Sequence, residues 1–218
     1  MKNLAPPLFV VLVAALGCSN FGSNSSTNPN TTNANSASPD RKAAIQDAFK
    51  KFRTVPFVTV KSESTGSSNT TVVEQYSASD EAFSRKYLEQ GDRTEVIIVG
   101  KDNYSKMNEF WPWKVDSGST DTAANTFFFP YDSLERMIPE FNIKDSHEES
   151  IDGKTALVVT LVPPKPYPEV PSSITIWIGK DNGLPLKMSR ERDKESTLIE
   201  TFDYETPVKI EKPRVEKK

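Results

Sequence analysis

The chain has 218 residues, with 27 Lys and Arg against 30 Asp and Glu, one histidine and one cysteine. Mild acidity with no clustered basic face argues against a nucleic-acid partner. A single cysteine excludes an internal disulfide, and one histidine beside it is too few for a zinc site, so no metal and no cofactor are expected.

The first residues, Met1-Lys2-Asn3, give a basic start. Leu4 to Leu16 is apolar apart from Pro6-Pro7, and small residues precede Cys18. This is the three-part layout of an export signal. The apolar run falls short of the ~20 residues that span a bilayer. Ala15-Leu16-Gly17-Cys18 resembles the bacterial lipobox, in which the mature chain begins at a diacylated cysteine. Residues 1–17 therefore read as a lipoprotein signal peptide and Cys18 as the lipidated anchor to a membrane. Ser19 to Ser38 is Ser, Asn, Thr, Gly, Ala and Pro with one aromatic, Phe21, and no charge. Such a stretch buries too little apolar area to offset its ordering entropy, so residues 18–38 read as a tether. Cleavage before Cys18 removes Lys2 as the leader's sole charge, and the exported chain stays mildly acidic.

One domain, residues 39–213, is expected next. Ser38 suits an N-cap, Pro39 the first helical position, and Asp40 the positive end of the helix dipole. Ala44, Ile45, Ala48, Phe49 and Phe52 then fall on one face at helical spacing, a stripe that packs on a sheet. From Pro56 the pattern changes to short β-prone runs: Phe57–Val60, Thr71–Tyr76, Ala82–Tyr87, Glu95–Gly100 and Asn103–Met107. Turn residues separate them, which predicts an antiparallel meander.

The middle is different. Phe110-Trp111-Pro112-Trp113 is a dense aromatic cluster, Asp116 to Asn125 is polar, and Phe127-Phe128-Phe129-Pro130 follows. Tyr131 to Phe141 suits a short helix with Leu134, Met137, Ile138 and Phe141 on one side. Strands return at Ser146–Ser150, with a hairpin signal at Asp152-Gly153, and at Lys154–Val162. Pro163 to Pro171 breaks the sheet. In Ser172–Gly179, Ile174, Ile176 and Ile178 share a face. Asp181-Asn182-Gly183 turns the chain, Leu184, Leu186 and Met188 bring the apolar face back, and Ser196–Tyr204 closes with Leu198, Phe202 and Tyr204 on one face. The segment Lys209 to Lys218, mixed in charge and interrupted by proline, reads as solvated, with residues 214–218 a charged tail. A sheet of about ten strands tends to curl, and its concave face needs a cover. The expected fold is α+β: a curved, half-open antiparallel β-barrel, with the N-terminal helix and a short helical and aromatic insert over the concave face.

The order helix, strands, insert, strands behind a lipidated start resembles the LolA/LolB and LppX-type bacterial lipoprotein carrier superfamily. Trp177-Ile178-Gly179-Lys180-Asp181-Asn182-Gly183-Leu184-Pro185-Leu186-Lys187 is similar to that group's late hairpin. Glu149 to Ala156 is similar to its Asp-Gly-Lys hairpin, and Phe202 to Val208 to its closing strand. The resemblance implies an incomplete barrel with helices over its mouth and acyl chains held inside. It also implies a cell-envelope location. Ser19 rather than aspartate after Cys18 leans, in the resembling systems, towards the outer membrane facing the periplasm.

No catalytic set is evident, and an enzyme is not expected. His147 lies in a charged run, Asp145 to Glu149, and reads as a surface residue. The functional candidates are apolar: Phe110, Trp111, Trp113, Phe127, Phe128, Phe129, Leu134, Met137, Ile138, Ile174, Ile176, Leu186 and Met188, as walls and lid of a cavity, with Asp116 to Asn125 as a gate. Two readings stay open. The cavity holds a lipid or lipoprotein acyl chains, or the core is filled and the scaffold serves as an interaction or sensor module for another envelope protein.

Overall fold

The structure is a computed structural model that describes residues 38–66, 69–89, 92–165, 171–192 and 196–215. The expected signal peptide, Cys18 and all but the last residue of the tether lie outside them.

Helix α1 spans Ser38–Phe52 and begins where the Ser-Pro-Asp signal puts it. Of its stripe, Ile45, Ala48, Phe49 and Phe52 are buried and Ala44 is half-buried. A meander follows, made of β1 (Phe57–Thr65), β2 (Thr70–Ser77), β3 (Ala82–Glu89), β4 (Asp92–Val99), β5 (Asp102–Lys106) and β6 (Lys114–Ser117). Helix α2, Ala123–Met137, continues into a 3₁₀ turn at Ile138–Glu140. A second meander completes the chain: β7 (Asn142–Ile151), β8 (Lys154–Val162), β9 (Ser173–Gly179), β10 (Pro185–Glu191) and β11 (Thr197–Asp203). The strands form one antiparallel sheet in the order β6-β5-β4-β3-β2-β1-β11-β10-β9-β8-β7. The first and last strands of the chain, β1 and β11, pair at the middle of the sheet and join the two meanders. The sheet curves without closing, which is the half-open barrel expected.

Period-two alternation sorts each strand between two faces. Register then sets residues in rows across the concave face. One row runs Ile98, Phe83, Tyr76, Val58. The next runs Val96, Arg85, Glu74, Val60, Phe202. Two more follow towards the far end: Ser62, Glu200, Met188, Ile176, Val159, and Ser64, Leu198, Arg190, Ile174, Leu161. The turn chemistry agrees with the sequence. Asp152 and Gly153 both have positive φ, 50° and 78°, as a type I′ hairpin requires. Gly183, φ 67°, turns the β9–β10 connection beneath α1, where an added Cβ would stand 2.6 Å from Lys51 Nζ.

Both helices cover the concave face. Phe52, at the end of α1, is the hub, with ring centroids 5.0 Å from Tyr131, 5.3 Å from Phe128, 5.5 Å from Phe202 and 5.8 Å from Phe127. Arg53, one residue on, clamps the helices together: its Nε donates to Asp132 Oδ1 at 2.7 Å and its Nη2 pairs with Glu135. A smaller cluster lies on the convex face: Ala82, Ile97 and Tyr104 covered by Ile210, with Trp113 and Val208 packed against it.

Three expectations need correction. The polar stretch 116–125 is not a ten-residue loop. It holds the end of β6, a short connection and the start of α2, capped by the Thr122 side chain on Asn125 N–H. The helix runs through Phe127-Phe128-Phe129-Pro130 instead of starting after it. The segment after Lys209 is not all solvated, because Ile210 is buried on the sheet and Lys212 Nζ reaches Asp102 Oδ2 at 2.8 Å.

Phe52 is fully buried at the centre of this packing. Phe52→Ala is expected to lower stability by about 3–5 kcal/mol, the usual loss when a core aromatic is truncated. Chemical denaturation of the two proteins measures it, and a loss under 1 kcal/mol would contradict the hub assignment.

Candidate functional site

Helix α2 does not fill the concave face evenly. Phe127, Phe128 and Tyr131 turn into the aromatic core beside Tyr76 and Phe83. Towards the far rows the helix stands off the strands. There Phe129, Pro130, Leu134 and Met137 face Ile174, Leu198 and Pro171 across a half-open cavity of about 490 Å³. This lies within the range of roughly 300–1,000 Å³ typical of small-molecule sites. Pro130 and Phe129 also wall a wider cleft on the other side of α2, of about 660 Å³, whose remaining lining is polar or charged. The first cavity is the apolar one.

The sequence candidates divide accordingly. Phe129, Leu134, Met137 and Ile174 line the cavity. Phe127, Phe128, Ile138, Ile176 and Met188 are buried core, so they support the wall and do not form a lid. Leu186 is half-buried beside Gly179 at the β9–β10 irregularity and lies outside the lining. The Phe110–Trp113 cluster is not at the cavity. Phe110 is 94% exposed and Trp111 50% exposed in the β5–β6 loop. Their N–H groups are both held by Asn108 Oδ1, at 3.1 and 3.2 Å. Trp113 packs on the convex face. A run of aromatics carries no information about which side of a sheet it will meet.

What the sequence reading passed over is polar. Arg190 lines the cavity, and so does Arg192 two residues on, with the hydroxyl residues Ser133, Ser196 and Thr197. Behind Arg190 stands Glu200, 5% exposed, with Arg190 Nη2 3.1 Å from its Oε2. Tyr131 donates to Glu200 Oε1 at 3.2 Å. One row away Glu74 accepts from Arg85 Nε at 2.6 Å. The signal was present: Glu200 falls between Leu198 and Phe202 on the apolar parity of its strand, and Arg190 continues the parity of Met188.

This group is under electrostatic load. Burial lifts the Glu200 carboxyl above its usual range against the pull of Arg190, and the charge of Glu74 adds to the rise. Burial also pushes the Tyr131 phenol well up, reinforced by Glu200 and Glu74. Tyr131 therefore stays a donor. Arg190 Nε and Nη2 are buried and find no hydrogen-bond acceptor among the described residues. Its contact with Glu200 is an ion pair without hydrogen-bond alignment. Each buried donor left unmade costs about 1–3 kcal/mol.

His147 is on the surface, with Nδ1 2.9 Å from Asp145 Oδ2, as its charged context indicated. Among the described residues no three His, Cys, Asp or Glu side chains converge to hold a metal.

The fold is similar to that of LprF from Mycobacterium bovis, at 15% sequence identity and a TM-score of 0.53, over 81% of this chain and 98% of LprF. It is more loosely similar to MucB, at 17% identity and a TM-score of 0.44, over 79% of this chain and 61% of MucB. A LolA superfamily protein from Nitrosomonas europaea follows at 13% identity and a TM-score of 0.26, over 74% of this chain and 91% of that one. No protein-family model and no curated protein matches the sequence. The likeness to LprF is one of fold, over the helix-meander-helix-meander order read from the sequence.

The Arg190–Glu200 pair generates a pH-dependent prediction. Arg190→Met strands a buried carboxylate and is expected to cost about 3 kcal/mol at pH 7. Without Arg190 the Glu200 pKa rises further. A raised carboxyl pKa favours the fold at low pH and penalises it as pH climbs through the raised value. The loss should therefore narrow from pH 7 to pH 4, and Arg190→Met/Glu200→Met should recover most of it. Urea titrations at the two pH values check this, and a loss that does not change with pH would refute the assignment.

Proposed function

We propose that this chain is a lipid-anchored protein of the cell envelope that holds an apolar ligand, a lipid or lipoprotein acyl chains, in the cavity between α2 and the sheet. The observation that carries this reading is the cavity itself: about 490 Å³, open on one side, with Leu134, Met137, Ile174, Leu198 and Phe129 around it. Apolar side chains at that position have not closed on each other. The space they leave stabilises a hydrocarbon by about 0.8 kcal/mol per buried CH₂. The likeness to LprF supports the scaffold, and the lipobox-like Cys18 supports the anchor. In this reading the protein is a binding protein and not an enzyme, attached to the outer membrane and facing the periplasm.

The test uses the full chain carrying Cys18→Ser and a neutral apolar fluorophore, N-phenyl-1-naphthylamine. Binding is expected, and Met137→Trp, which occupies the cavity, should weaken it roughly fifteenfold, the equivalent of about two excluded methylenes. Native mass spectrometry of the lipid-anchored protein should show a lipid adduct. Absence of both probe binding and adduct would count against the cavity as a ligand site.

A second reading keeps the scaffold and moves the contact to the β5–β6 loop, favoured by the exposure of Phe110 and Trp111. There the protein is an interaction module for another envelope protein. Phe110→Ser/Trp111→Ser should abolish capture of such a partner while leaving fluorophore binding unchanged. Loss of fluorophore binding in this variant would instead tie the loop to the cavity.

A further inference from the structure

We propose that the cavity selects an amphiphile with an anionic head, a carboxylate or a phosphate monoester on an apolar chain, and that Arg190 and Arg192 receive the head. This rests on the reading of the cavity as a ligand site and adds the chemistry of what enters it.

The argument begins with where β10 places its side chains. Register sets Arg190 directly between Ile174 of β9 and Leu198 of β11. Alternation then brings Arg192 to the same face, just past the end of the strand and nearer the mouth. Both arginines thus line one side of the cavity, and the α2 side, Phe129, Pro130, Leu134 and Met137, is apolar apart from Ser133. Among the described lining residues there is no carboxylate. Glu200, which neutralises Arg190, sits behind it and outside the lining.

Each arginine is held for the purpose. The ion pair with Glu200, made through Nη2, fixes Arg190 from the rear, and the partly exposed remainder of its side chain lines the cavity. Arg192 is exposed at the rim, and its backbone N–H donates to Ser196 O at 3.0 Å, which positions the residue at the turn. A guanidinium matches a carboxylate or phosphate with paired, charge-assisted hydrogen bonds. A chain lying against Leu134 and Met137 excludes water from the same space. A neutral head then desolvates the arginines of the β10 wall without offering a charge on the cavity side, whereas an anionic head supplies one. Discrimination by charge follows from the one wall, and retention from the other.

Calorimetry on the full chain carrying Cys18→Ser distinguishes the outcomes, with dodecanoate, dodecyl phosphate, dodecanol and inorganic phosphate as probes. The two anionic amphiphiles are expected to bind at least tenfold more tightly than dodecanol. Arg192→Gln should remove most of that margin without changing dodecanol affinity or the melting temperature, and Arg192→Lys should restore part of it. Equal affinity for dodecanoate and dodecanol overturns the head-group assignment and leaves the cavity reading standing. Failure of every chain-bearing probe and of the neutral fluorophore overturns both. Inorganic phosphate binding as tightly as dodecyl phosphate shows a free-anion site and overturns the amphiphile.

Discussion

An antiparallel sheet of eleven strands with one largely apolar face cannot leave that face in water, and because its edges do not meet it cannot close upon itself. Everything else in the molecule answers this constraint. Among the described residues only α1 and α2, each of 15 residues, are available as covers. They are joined at one end by Arg53 and anchored in the sheet by Phe52. Two helices of that length bury the row through Phe83, Tyr76 and Val58 and cover the rows beyond it in part. The cavity is the part left over, and its position follows from where the aromatic packing of Phe127, Phe128 and Tyr131 stops.

The boundary between filled and open is drawn by charge. Where the aromatic rows end, the strands present Glu74 and Arg85, then Arg190 and Glu200. Carboxylates and guanidiniums so placed cannot be packed over with hydrocarbon unless they are paired. Tyr131 bridges the two zones, its ring packed among phenylalanines and its hydroxyl on Glu200. The same residue therefore belongs to the core and to the polar wall behind the cavity. Pro130 marks the change on the helix side, since it supplies no N–H to the Thr126 carbonyl one turn earlier and interrupts the ladder where α2 begins to stand off.

Most of the scaffold was legible because it is written in local rules. The apolar stripe of α1, the period-two runs and the Asp152-Gly153 and Asn182-Gly183 turns each follow from nearest-neighbour geometry. β6 was not legible. Lys114–Ser117 is exposed throughout and is a strand only because β5 offers an edge to pair with. The extent of α2 was missed because three phenylalanines followed by proline read as an interruption, while the Thr122 cap that starts the helix lay inside a polar stretch. Ile210 was misjudged for a related reason: one apolar residue among charges carries little pattern, yet Ala82, Ile97 and Tyr104 leave a convex-face hollow that it covers. The aromatic loop at Phe110 and Trp111 reads as a lid because hydrophobicity alone assigns no face.

The site was half legible for the same physical reason. Periodicity identifies apolar walls, so Leu134, Met137 and Ile174 were found, but it treats a charge on the apolar parity as noise. Glu200 and Arg190 are such charges. A buried ion pair is seldom the most stable occupant of its position, since hydrophobic residues of similar size do as well or better. The pair lies at the edge of the helix cover, with Glu200 under Tyr131 and Arg190 on the cavity wall. Stability alone does not account for charge at that place. A wall that keeps one guanidinium fixed from behind, with a second at the mouth, is accounted for by something that enters the cavity and carries the opposite charge.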